Sequence, residues 1–113
     1  MTAVLTPQWT SVCELTDLEP ERGVVALVRR RQVALFRTHD DAVYAIGNRD
    51  PFSGAHVLAR GIVGTRGGAP TVASPMYKQV FDLRTGECLD DPKAHVPTFP
   101  VRVTVGVVEV GSP

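Results

Sequence analysis

The groups in this chain that could do chemistry sit in two short loops. The first holds Asn48 and Asp50, one residue between them, in Ile46-Gly47-Asn48-Arg49-Asp50-Pro51-Phe52. The second holds Ser74 and Tyr77 in Ser74-Pro75-Met76-Tyr77-Lys78. An amide, a carboxyl, a hydroxyl and a phenol are hydrogen-bonding groups before they are anything else. Near neutral pH the hydroxyl stays protonated, and a phenol has a reference pKa of about 10. Asp50 alone offers a hard metal ligand, and one carboxylate does not hold a metal centre. Asp50-Pro51-Phe52-Ser53 and Ser74-Pro75-Met76-Tyr77 also read as turns with proline in second position. Asn48, Asp50 and Ser74 are therefore expected to accept hydrogen bonds from backbone N–H groups, with Tyr77 packing across the first loop.

The same loops carry a second signal. Phe52, Met76 and Tyr77 are large groups in segments expected at the surface. Beside Arg49, Pro51 and Lys78 they have the composition of a protein contact. The remaining reactive side chains are less informative. His39, His56 and His95 are scattered, without the i, i+4 spacing of a helical metal site. Cys13 and Cys88 have no neighbouring base or cation cluster to make a nucleophile, and read as small apolar fillers and free thiols. A metal site built from Cys88 and His95 has little to recommend it. Arg29-Arg30-Arg31 reads as a solvated hairpin turn. Arg66-Gly67-Gly68 lacks the Gly-Lys-Ser/Thr ending of a phosphate loop.

The elements that must position these loops are strands. Short apolar runs with period two are cut by Gly, Pro, Asn and Asp. Strands are expected at Trp9–Val12, Val24–Val28, Val33–Arg37, Val43–Ile46, Thr71–Ala73, Val80–Leu83, Val101–Val105 and Val107–Val110. One helical turn fits around Leu15–Glu19, where Pro20 stops it. The segment Asp91–Pro100, with Pro92, Pro97 and Pro100, is excluded from a central strand because proline lacks a ladder donor. The fold class is therefore all-β, an antiparallel sandwich or barrel with at most one short helical turn. At 113 residues the chain reads as one domain over positions 1–113, with its core at about 9–110.

Composition narrows the function classes. Lys+Arg and Asp+Glu balance at 12 each, which argues against nucleic-acid binding. The longest apolar run is Val24–Val28, far short of the ~20 residues of a membrane span. Met1–Pro7 has no basic start and no apolar stretch of leader length, so the expected location is the cytoplasm.

The order of these features resembles the Rieske-type domain. It runs strand, Asn-Arg-Asp-Pro-Phe loop, long excursion, then Ala73–Leu89 as a second loop and strand, then Pro100-Val101-Arg102-Val103 and a final hairpin. More narrowly it is similar to the small subunits of NADH-dependent assimilatory nitrite reductases, from about Trp9 to Val110. Asp50–Ser53, Arg60-Gly61-Ile62 and Ala73–Leu89 carry the likeness. A Rieske protein has C-x-H in its first loop and C-P-x-H-G in its second, and its irons need two thiolates and two imidazoles. Here Asn48 and Ser74 stand at the Cys positions, Asp50 and Tyr77 at the His positions, and Lys78 where the motif has Gly. The resemblance thus implies a Rieske-like sandwich with a small two-loop subdomain but no cluster. It implies a non-redox accessory subunit of a nitrite reductase, without a catalytic residue of its own. The partner is then the large subunit, carrying FAD, an iron–sulfur cluster and siroheme and reducing nitrite to ammonium. Arg49, Pro51, Phe52, Met76, Tyr77 and Lys78 become the expected contact surface. The rival is a stand-alone interaction module on a cluster-less Rieske scaffold.

Overall fold

Residues 8–112 are described in the computed structural model. Met1–Pro7, the segment read above for leader character, lies outside the described residues. Among the described residues ten strands follow one another: β1 (Gln8–Glu14), β2 (Gly23–Val28), β3 (Arg31–Arg37), β4 (Val43–Gly47), β5 (Ile62–Arg66), β6 (Ala69–Ala73), β7 (Val80–Asp82), β8 (Thr98–Phe99), β9 (Val101–Thr104) and β10 (Val107–Ser112). They form three antiparallel sheets, ordered β1-β10-β9, β2-β3-β4-β8 and β5-β6-β7. The expected all-β class holds.

The four-stranded sheet is the middle layer, and β3 shows why. Val33, Ala34, Leu35 and Phe36 are all fully buried. Successive side chains of a strand point to opposite faces. Val33 and Leu35 join a cluster with Val108 and Val110 of β10, while Ala34 and Phe36 join one with Val72 of β6 and Phe81 of β7. A strand covered on both faces needs no polar alternation, so it reads as an unbroken apolar run. The second cluster lies under the two loops and anchors them to the domain.

Three short elements go beyond the expected set: β5, β8 and a second 3-10 turn. β5 carries little sequence signal, because its side chains are mostly exposed and its two apolar groups, Ile62 and Val63, are adjacent rather than alternating. A second 3-10 turn, Leu58–Arg60, accompanies the expected one at Leu15–Asp17. β8 is a two-residue strand on the outer edge of its sheet, which suits a proline-rich neighbourhood.

The β9–β10 hairpin closes through Val105 and Gly106, both with positive φ, at 49° and 76°. Two-residue turns of this hand favour Asn-Gly, and a β-branched residue there is strained. Val105 is also almost wholly exposed, so its side chain gains nothing in return. Val105→Asn should stabilise the domain by about 1 kcal/mol, read as a higher urea midpoint at unchanged slope. An unaltered or lower midpoint would count against the strain.

Candidate functional site

The first loop folds around Asp50. Its backbone N–H donates to the Ala55 carbonyl at 2.8 Å, and its own carbonyl accepts from Gly54 N–H at 2.7 Å. Arg49 pairs with His56 to close the loop mouth. Asn48 is buried, with its side-chain oxygen accepting from Ala59 N–H at 2.8 Å and its amide nitrogen donating to Gln32 Oε1 at 3.1 Å. Asn48 thus turns back toward β3 and the Leu58–Arg60 turn. Gln32, its partner, carried no sequence signal, since it reads as a polar residue at a strand end.

The second loop closes through Ser74. Its N–H donates to the Gln79 carbonyl at 2.9 Å, and its carbonyl accepts from Lys78 N–H at 3.0 Å. Lys78 has φ 63°, the left-handed region favoured by glycine. Lys78 thus takes, at the position where the Rieske motif has Gly, a backbone conformation that glycine adopts most readily.

The loops are joined by one direct bond. Ser74 Oγ donates to Asp50 Oδ2 at 2.5 Å, and Asp50 Oδ1 accepts from Phe52 N–H at 2.8 Å. Both side chains are essentially without solvent contact. Met76 N–H also donates to Ser74 Oγ, at 3.3 Å. Asn48, Asp50 and Ser74 thus each accept from a backbone N–H, as expected of turn-capping groups.

The expected contact residues separate into two groups. Arg49, Met76, Tyr77 and Lys78 are exposed. Tyr77 is 60% exposed, so the loop-to-loop link is Asp50–Ser74 rather than the phenol. Phe52 requires a correction. It is half-buried and packs on the core cluster, with its ring centroid 6.3 Å from that of Phe81. Pro51 beside it is also half-buried. The carboxyl of Asp50 holds the Phe52 N–H, which points this side chain inward instead of leaving it at a tip.

Behind the second loop, burial opposes ionisation of Asp82, but hydrogen bonds and charge from Arg84 outweigh it and hold the carboxyl below the usual range. Arg84 correspondingly sits above its ordinary value, chiefly through its hydrogen bonds to Asp82. Burial, and then the Asp17 carboxylate, push the Cys13 thiol up, which makes it a poorer nucleophile. Cys88 is a buried core residue, as expected of an apolar filler. Among the described residues no group of three or more His, Cys, Asp or Glu side chains could hold a metal ion.

Three sheets with two loops bracketing one end define a Rieske-type domain, and the profile of the Rieske-like [2Fe-2S] domain family matches residues 8–111. The side chains at the ligand positions do not fit that cluster. Asn48 is committed to Ala59 and Gln32, Asp50 and Ser74 to each other, and none offers a thiolate or imidazole.

The relatives narrow the class. The nitrite reductase (NADH) small subunit of Escherichia coli K12 is 44% identical, over 91% of this chain and 96% of its own length. A crystal structure assigned as the NADH-dependent nitrite reductase small subunit of Mycobacterium tuberculosis superposes with a TM-score of 0.93 at 51% identity, covering 96% of this chain and 97% of that one. The nitrite reductase [NAD(P)H] large subunit of Klebsiella oxytoca is 43% identical over 92% of this chain, which spans 11% of that protein. The chain belongs to the nitrite reductase small-subunit family of Rieske-like domains.

Proposed function

We propose that this chain, a single Rieske-like domain, is the non-redox accessory subunit of a cytoplasmic, assimilatory NADH-dependent nitrite reductase. It docks on the large subunit, which would carry FAD, an iron–sulfur cluster and siroheme and convert nitrite to ammonium. The observation that carries the reading is the Asp50–Ser74 bond. It joins the two loops where a cluster would otherwise do so, and leaves Met76 and Tyr77 exposed at the tip. Exposed Met and Tyr beside Arg49 and Lys78 are suited to a protein contact. The Klebsiella relative supports the choice of partner, since there the matching stretch lies within the large-subunit polypeptide itself.

Co-purification with the large subunit, with nitrite-dependent NADH oxidation measured with and without this chain, is the test. The expected result is a stable complex, higher turnover in its presence, and an isolated small subunit that is colourless without stoichiometric iron or sulfide. Met76→Ala with Tyr77→Ala should weaken the complex about tenfold or more while leaving the fold intact. No complex and no effect on turnover would refute the docking. Bound iron and sulfide would refute the non-redox role.

A further inference from the structure

The arginines of this domain are of two kinds. Arg22, Arg37, Arg66, Arg84 and Arg102 each pair with a carboxylate. Arg29, Arg30, Arg31, Arg49 and Arg60 do not pair with any carboxylate among the described residues, and all five are exposed. Three of them, Arg30, Arg31 and Arg49, line one cleft, between the β2–β3 turn, the first loop and the segment Val96–Phe99. His56 and His95 add ring N–H donors, and no Asp or Glu lines it. The chain is neutral overall, so this concentration of cations is a local segregation of charge. Arg30 is moreover held at φ 69°, where a side chain is disfavoured and glycine would be at ease.

We propose that this cleft receives an acidic polypeptide segment of the large subunit, adjoining the Met76–Tyr77 contact. The inference rests on the docking reading and adds a second, electrostatic half to it. Guanidinium groups bind carboxylates in bidentate fashion, and unneutralised like charges side by side repel until a carboxylate enters. The floor of the cleft, with Pro51, Pro97 and Phe99, supplies apolar surface for the segment's backbone and stems. Charge complementarity of this kind acts mainly on encounter rate and its salt dependence.

The test is association kinetics with the intact large subunit across a range of ionic strength. Arg30→Ala/Arg31→Ala/Arg49→Ala should slow association about tenfold at low salt and flatten the salt dependence. Arg22→Ala, at the far end of β2, should change neither. Arg49→Glu alone should slow association further than Arg49→Ala, which guards against a triple variant that misfolds. Unchanged association by the cleft variants, while Met76→Ala/Tyr77→Ala still weakens the complex, would overturn the inference and leave the docking reading standing. Phosphate competing far better than chloride at matched ionic strength would make the cleft a small-anion site and overturn it too. No binding by the unsubstituted chain would remove both.

Discussion

Asp50→Ala should cost the domain about 3 kcal/mol and lower its melting temperature by on the order of 15 °C. The residue is fully buried and its carboxyl serves two donors, Ser74 Oγ and Phe52 N–H. Removing it strands both. A buried donor left without a partner costs about 1–3 kcal/mol. The Ser74 hydroxyl has no water to turn to, because it too is buried. The loss also releases Phe52 from the inward pose that seats it against Phe81.

The pair is the useful quantity. Ser74→Ala leaves the Asp50 carboxyl with one donor fewer and should cost about 2 kcal/mol. Once either partner is gone, the second substitution removes little more. The double variant should therefore fall short of the sum of the singles by about 1–2 kcal/mol in urea unfolding. Additive losses would mean that the two loops are held by something other than this bond.

How much of this was legible in the residues differs from element to element. Val33–Phe36 announced itself because four adjacent apolar residues suit a strand covered on both faces. The Arg29–Arg30 turn was legible from the apolar runs on either side, whereas the unpaired state of Arg30 and Arg31 was not. Pairing depends on which carboxylates the fold brings near. β5 stayed hidden because its membership rests on backbone pairing with β6, while only Val63 turns to the core and its side chains show no apolar period.

The loops show the same division. The types of Asp50 and Ser74 were enough to expect capping, since short polar side chains bond local N–H groups wherever the chain turns, whereas Asn48 reaches across to Ala59 N–H. Their long-range partners were not, for Asp50 meets Ser74 only through the sheet geometry that stacks the loops. Phe52 was misplaced by the rule that loop aromatics are exposed. Its direction is set by the Asp50 hydrogen bond and by the Phe81 ring, and Phe81 lies far along the chain. A Phe52→Ala variant therefore tests core packing as much as docking, and Tyr77 with Met76 is the cleaner pair.

Gly86→Ala should be the most damaging single methyl group in the domain, costing about 4 kcal/mol. Gly86 has φ 78°, and a Cβ there would sit 2.1 Å from the Val96 carbonyl oxygen. Backbone, unlike the end of a flexible side chain, cannot step aside cheaply. The contact also matters to its surroundings, since Gly86 N–H donates to the Asp82 carbonyl and its own carbonyl accepts from Val96 N–H, both at 2.8 Å. These bonds hold the Val96–Phe99 segment, which carries β8 and forms one wall of the cationic cleft. Gly67→Ala separates the two sources of the effect. Gly67 is also left-handed, at φ 57°, but nothing lies within 4 Å of a Cβ built on it. That variant should lose only the dihedral term, about 1 kcal/mol. If the two alanines cost the same, backbone angle alone governs Gly86 and the close approach of Val96 is immaterial. If Gly86→Ala is much the worse, and also slows association with the large subunit, then the wall built on Gly86 shapes the docking cleft as well as the fold.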